Sequence, residues 1–445
     1  MNDLKNPKKK ALIISYHFPP SGSTGAIRTM KFVKYLWQFG WEPVVLTCNN
    51  SFDFGAQKDL ETLKEIPEGT KVFATFSFEP LNLTWKKGRG KSVNTAGSQS
   101  PERTAPGSRI IKYIKGFVLD ILETPDRYQG WIPFALFRGL RLLNRYDVAV
   151  IFATAPPPSA LIVGYLLSKF TGKPLVVDYR DPWTYSNWAR KRFKLFGNIN
   201  KRIERAILAR ARYIVSVSET RTRELQGFYR DIDSNKYIVI PNGYDICEAV
   251  PASPGTFDKF TFLHAGSLYS DDGVEDFIDV ILEMVEEDLK YKQNIKTIFV
   301  GSRPNGFGFK KLEKMGVAEY IERLPRKECL DMMSKAHALL VFLKNDNLAR
   351  GCIASKIFDY MMFRKPILGV VPEGETRDLI EKSKIGFTAG YGEKPRLKEV
   401  IRDLFSANGV KGVPSGFDEL SIKRYERKKL TKDLAVVFER AAEAC

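Results

Sequence analysis

Ala11-Leu12-Ile13-Ile14-Ser15-Tyr16-His17-Phe18-Pro19-Pro20-Ser21-Gly22-Ser23-Thr24-Gly25-Ala26-Ile27-Arg28 is the stretch on which the fold turns. A short apolar run ends in a loop of Pro, Gly and Ser, and a helical pattern over residues 26–39 follows. That is a buried strand, a turn and a covering helix. The unit recurs outward along the chain. Apolar runs at 43–47, 148–152, 174–178, 213–217 and 237–240 alternate with helical patterns such as 160–170 and 199–212. Alternation of this kind builds a doubly wound parallel sheet with helices on both faces. After residues 251–255 the pattern restarts, with strands expected at 260–264, 296–300, 338–342 and 366–370 and helices at 274–287, 327–335 and 355–363. The expected organisation is therefore one α/β domain at 1–245, a linker at 246–258, a second α/β domain at 259–425, and a helix at 426–445 returning to the first.

Composition narrows the classes further. The 445 residues are 44% hydrophobic and 27% charged, which excludes disorder throughout. Lys+Arg 70 against Asp+Glu 52 gives a net charge of +18, and it is unevenly placed. Residues 1–245 hold 38 basic and 21 acidic side chains (+17), and residues 246–445 hold 32 and 31 (+1). A basic half is drawn to anionic surfaces: phospholipid, a pyrophosphate-linked substrate or nucleic acid. No nucleic-acid motif accompanies it, so nucleic acid is not an expected partner. Cys48, Cys247, Cys329, Cys352 and Cys445 form no close pair, which argues against a disulfide framework or structural zinc and for a reducing compartment. The start of the chain lacks the apolar stretch of a signal peptide, and no window approaches eighteen apolar residues. A cytoplasmic protein, peripheral on the membrane, is expected.

Two segments break the alternation. Residues 85–108, rich in Gly, Ser, Thr, Pro and basic groups, read as a mobile loop. Residues 110–122 place Ile111, Ile114, Phe117, Val118 and Ile121 near one helical face, with Lys112 and Lys115 elsewhere. Such a helix either packs on its own domain, the commoner outcome, or lies on a membrane. Arg190-Lys191-Arg192-Phe193-Lys194, Lys201, Arg202 and Arg205 supply further basic and aromatic groups to the same half.

Candidate chemistry gathers where strands end, since ligands of open α/β sheets bind at the carboxyl ends of strands. The loop with Gly22, Ser23 and Gly25 leads to Arg28 and can present amides to an anion or simply turn the chain. Asp178-Tyr179-Arg180-Asp181-Pro182-Trp183 closes another strand with two carboxylates and an arginine, read as a polar site or an Arg–Asp structural pair. Pro241-Asn242-Gly243 implies a tight turn with positive φ. In the second half, Gly266 and Ser267 follow one strand and Arg303 the next. Ser355-Lys356-Ile357 opens a helix whose first-turn amides and Lys356 suit a diphosphate, with Asp359 placed to accept ribose hydroxyls. Ser355 serves equally well as a plain helix cap. Asp231-Ile232-Asp233 sits on a polar turn, and His17, His264 and His337 share no ligand spacing, so no metal is expected.

Taken in order, these pieces resemble glycosyltransferase family 4, with the GT-B architecture of two Rossmann-like domains facing a cleft. The resemblance rests on Tyr16–Pro20 with Gly22, Gly25 and Arg28, on Asp178–Trp183, Val217-Ser218-Glu219 and Ile240-Pro241-Asn242-Gly243. It continues through Gly266 and Ser355-Lys356-Ile357-Phe358-Asp359-Tyr360 with Lys365-Pro366. It implies retaining, metal-independent transfer of a hexose from a nucleotide diphosphate sugar to a glycan or lipid-linked acceptor, as in cell-surface polysaccharide or lipopolysaccharide synthesis, without a cofactor. It implies a front-face mechanism, in which the leaving phosphate helps deprotonate the acceptor. Arg180 and Asp181 fall at the reacting centre, Gly266, Ser267, Arg303, Ser355, Lys356, Ile357 and Asp359 on the donor, and Gly22, Ser23, Gly25 and Arg28 beside donor or acceptor. The chain also departs from the family. The first glutamate of the usual acidic pair falls at Gly351, and the usual arginine and lysine after the loop glycine are Ser267 and Asp272. Lys356, Arg303 and Arg28 stand in as cations. A non-catalytic nucleotide-sugar or polyanion-binding protein and a GT-B sugar epimerase are the alternative readings.

Overall fold

The computed structural model describes residues 9–49, 59–79, 106–185, 191–248, 255–269, 272–406 and 418–443. The chain divides into two compact units: Met1–Val217 with Thr222–Val239 and Thr431–Cys445, and Ser218–Arg221 with Ile240–Leu430. The first holds a parallel sheet of β1 (Lys9–Ile14), β2 (Trp41–Cys48), β3 (Lys71–Thr75), β4 (Val148–Ala155), β5 (Leu175–Tyr179), β6 (Tyr213–Ser216) and β7 (Tyr237–Val239). Their order is β3-β2-β1-β4-β5-β6-β7. The second holds β8 (Phe260–Ala265), β9 (Ile295–Val300), β10 (Ala318–Ile321), β11 (Ala338–Phe342), β12 (Ile367–Val370) and β13 (Gly386–Ala389), in the order β10-β9-β8-β11-β12-β13. Both orders reverse beside the first strand, the switch point at which doubly wound sheets bind ligands.

Helices on both faces explain the unbroken apolar runs. Ala11, Leu12, Ile13 and Ile14 are all fully buried, so neither side of β1 meets water. In the second sheet, Phe262 joins Phe277, Phe299 and Phe342 on one side, while Leu263 joins Val341, Ile357 and Tyr360 on the other. Three strands escaped the sequence reading: β3, β10 and β13. Each is a sheet edge with partly exposed residues, so none reads as a continuous apolar run. The helix Arg427–Glu443 brings Phe438 against Trp41 (5.3 Å between ring centroids) and Phe152 (5.6 Å), inside the first unit.

The expected mobile loop at 85–108 lies outside the described residues except for its last three, which open the helix Pro106–Leu122. Arg190 also lies outside them. This amphipathic helix, expected either to pack on its own domain or to lie on a membrane, packs on its own domain only in part. One side does so, through Phe117 against Phe193 and Phe196 and through buried Asp120, which accepts from the Phe193 amide (2.9 Å) and from Arg192 (3.1 Å). The neighbouring stripe of Ile111, Ile114, Val118 and Ile121 is exposed, at 45–68% of each residue's surface. For Gly243 the expectation is corrected. It does not adopt a positive φ. A Cβ there would lie 2.0 Å from the Tyr425 carbonyl oxygen, so glycine is needed because two backbones approach closely.

Candidate functional site

In the second unit, β8 and β9 end side by side in glycines with positive φ, Gly266 (121°) and Gly301 (96°). The Gly266 amide donates to Val300 O (2.9 Å), and a Cβ on Gly301 would lie 3.3 Å from Gly266 O. Here the glycines do supply conformations that L side chains resist. The Lys356 ammonium comes to this pair, 3.4 Å from where a Cβ on Gly266 would stand, and bonds His264 Nε2 (3.0 Å). His264 is fully buried, which holds its pKa well below the usual value, and the adjacent Lys356 lowers it further. A neutral ring accepting at Nε2 carries its proton on Nδ1 and donates it to Leu340 O (3.1 Å). Burial pushes Lys356 down to about 8, against the opposing pull of Asp272. Asp272 is buried and folds the loop by accepting from the amides of Tyr269 (2.7 Å) and Val274 (3.2 Å).

Asp359 is held by a residue the sequence reading missed. Arg326 donates to both its oxygens (2.9 and 3.2 Å) and to Glu248 (2.5 Å). Arg326 opens a helix just past Pro325, after the end of β10, a position that marks a candidate cation. The expectation that the first-turn amides of the helix Lys356–Met361 await a diphosphate is corrected: Ile357 N already donates to Ala354 O (3.0 Å) and Phe358 N to Ser355 O (3.2 Å). The Ile357 side chain is fully buried. Ser355 and Ser267 are exposed, and Ser355 makes no side-chain cap. Arg303 is also corrected as a diphosphate cation, because its guanidinium pairs with Glu313 and lies over Phe309 and Tyr320. Gly351 packs closely on side chains of its own unit. A Cβ there would stand 3.0 Å from Arg221 Cζ and 3.2 Å from Thr220 Cγ2.

The first unit treats its glycine loop differently. Ser23 caps the helix Thr24–Leu36, accepting from Ala26 N (3.3 Å), and Gly22 precedes it, partly exposed. Arg28 is no substitute for a missing diphosphate cation. It is fully buried, bonded to both oxygens of Asp178 (2.8 and 3.2 Å) and lies over Phe32. Thr154 adds a bond to Asp178 (2.7 Å), so this arginine–carboxylate pair is structural. Arg180 is held by carbonyls at the end of β4, Ala155 O (3.1 Å) and Pro156 O (2.5 Å). Its guanidinium covers Gly25, where a Cβ would lie 1.5 Å from Nη1. His17, lowered to about 3 by burial and by Arg180, stays neutral. Asp181 is exposed and has no hydrogen-bond partner among the described residues.

Residues 98–247 match the Glycosyltransferase Family 4 model. Over this stretch the chain is similar to glycosyltransferase family 4. The family 4 resemblance read from the sequence motifs is thereby borne out. Among solved structures, a glycosyltransferase from Rickettsia africae is similar at 13% identity and TM-score 0.62, covering 99% of this chain and 100% of its own. Anabaena HepE, in complex with UDP, is similar at 16% identity and TM-score 0.60, covering 97% and 100%. A UDP-GlcNAc 2-epimerase from Methanocaldococcus jannaschii reaches 0.51 at 12% identity, covering 97% and 99%. These likenesses bear on fold: the two doubly wound sheets are those of GT-B proteins. Among curated proteins none matches this chain.

Proposed function

We propose that this chain is a retaining, metal-independent glycosyltransferase that moves a sugar from a nucleotide diphosphate sugar to a glycan or lipid-linked acceptor in cell-surface polysaccharide synthesis. The observation that carries the proposal is the Lys356 ammonium beside Gly266 and Gly301 at the carboxyl ends of β8 and β9. A diphosphate there meets a fixed cation and backbone with no side chain in the way. Asp359, steadied by Arg326, takes the ribose. HepE, solved with UDP and also with UDP-glucose, lends support to a uridine nucleotide as donor. In the first unit, Arg180 and Asp181 serve the reacting centre and the acceptor binds at the ends of β4 and β5. The protein contributes positioning and charge stabilisation while the leaving phosphate takes the acceptor proton.

The reading includes a place of action, the cytoplasmic face of an anionic membrane. The exposed stripe of Ile111, Ile114, Val118 and Ile121 lies on the helix that Arg192 pairs with, and exposed Lys115, Lys194, Lys201 and Arg202 belong to the same basic half. Apolar insertion with basic groups is how interfacial helices bind. No helix among the described residues is long and apolar enough to cross a membrane.

A thermal-shift screen with UDP, GDP, ADP and CMP sugars tests the donor assignment, because a ligand that binds only the native state raises its stability. Product analysis with the best ligand then separates the readings. Transfer supports the proposal, 2-epimerisation of a free nucleotide sugar would make the chain an epimerase, and binding with neither makes it a sensor.

A further inference from the structure

The first unit contains a cavity of about 580 Å³, a size ordinary for small-molecule sites. It lies where ligands of this sheet should sit, since its wall includes the proline run at 156–158 after β4 and Trp183 after β5. Pro156 is also the residue whose carbonyl holds Arg180. Tyr128, another wall residue, packs tilted against Tyr16 (4.5 Å between ring centroids) and meets His17 edge-on (5.7 Å), tying the cavity to the loop after β1.

The charges of the wall are mostly answered within the protein. Asp126 accepts from Ser159 N (2.6 Å), Ser159 Oγ (2.7 Å) and Tyr128 N (2.7 Å), and so serves the start of the helix Pro158–Thr171. Asp120 is taken by Arg192 and the Phe193 amide, and Lys191 donates to the Glu123 carbonyl. Arg127 is the exception. It is half-buried in the wall, with no hydrogen bond or ion pair among the described residues. A partly desolvated guanidinium that no protein group answers matches the planar fork of a carboxylate or phosphate. The half-buried Tyr128 offers an aromatic surface suited to the apolar C–H face of a pyranose ring, and the buried Trp183 backs the wall.

We infer that this cavity is the acceptor site and that it takes a sugar bearing an anionic group, held by Arg127 against Tyr128. The inference rests on the glycosyl-transfer reading and deepens it by naming the acceptor class. Phosphate and carboxylate share the chemistry that Arg127 recognises, so glucose 1-phosphate and glucuronate are the two arms of the test, with glucose as the neutral control.

Binding of each sugar to the full chain is measured by saturation-transfer NMR, with the UDP-induced thermal shift read on the same samples. At least one anionic sugar is expected to bind about tenfold or more tighter than glucose, the worth of one charge-assisted contact. Arg127→Gln should remove that preference and leave the UDP shift unchanged. Lys356→Met, which reports on the second unit, should do the reverse. Equal binding of all three sugars, a preference that survives Arg127→Gln, or one lost only in Lys356→Met would overturn the inference. A UDP shift without anionic-sugar binding sinks this site alone, whereas anionic-sugar binding without any UDP shift sinks the donor reading alone.

Discussion

The two units place a glycine loop after their first strand, and the loops end up in opposite states. After β1, Gly25 makes room for a side chain of the protein itself, because the Arg180 guanidinium lies on it, and Arg28 turns inward to Asp178. After β8, Gly266 and Gly301 stand against each other with positive φ, and the Lys356 ammonium lies beside them. In the first unit Arg28 is neutralised by Asp178 and Arg180 is held by backbone carbonyls; in the second Lys356 is bonded to a neutral histidine. A glycine loop at a strand end is therefore an ambiguous sign. What decides its meaning is where the nearest cation spends its charge.

That contrast can be broken in several ways. The largest effect should follow Asp178→Ala, which strands a fully buried Arg28, and such one-sided removals cost about 3–5 kcal/mol. Urea unfolding measures it, and a loss below about 1 kcal/mol would mean that Arg28 is not locked. Next comes Lys356→Met. Loss of a charged contact worth roughly 1.5–3 kcal/mol should weaken UDP about ten- to a hundredfold by calorimetry. Unaltered affinity would remove the lysine from the donor site.

Lys356 also predicts a pH dependence. Its free pKa of about 8 leaves it charged at pH 7 and mostly neutral at pH 9. A diphosphate favours the ammonium, so affinity is full below pH 8 and falls above it, by roughly tenfold at pH 9. The Lys356→Met variant should show a flat profile over this range.

Two matched substitutions sharpen the contrast at smaller scale. Gly266→Ala, at φ 121°, carries a backbone strain of about 1–3 kcal/mol and should weaken UDP accordingly. Gly25→Ala displaces only the tip of Arg180, so it should leave UDP affinity unchanged and lower turnover instead. Equal effects on UDP would erase the difference between the loops. The smallest change is expected for serine at Ile111, Ile114, Val118 and Ile121, which should reduce salt-sensitive sedimentation with anionic liposomes and leave UDP binding intact. No sedimentation of the parent chain at low salt would end the membrane assignment.

The strand alternation was legible because central parallel strands are buried on both faces and read as plain apolar runs, β1 and β11 among them. Edge strands such as β13 were not, since partial exposure breaks the run. Within the site, Lys356 and Gly266 were recognisable from their place after strands and at a helix start. The partners of the arginines were not. Nothing in the spacing of Arg28 or Arg326 says which carboxylate each will meet, because those pairs join residues far apart in the chain, 150 positions for Arg28 and Asp178 and 33 for Arg326 and Asp359. Arg127 was overlooked for a related reason, as its interest lies in having no protein partner, which no local pattern encodes.

The helix Arg427–Glu443 bears on how the molecule is made. Its Phe438 completes the packing around Trp41 and Phe152, yet it is translated after all of Ile240–Leu430. At ordinary elongation rates that delay is on the order of ten to forty seconds. During it, the nascent first unit exposes the indole of Trp41 and the ring of Phe152 without their cover. The domain synthesised first is thus the one that finishes folding last, and this window is where the growing chain is most open to chaperones and to aggregation.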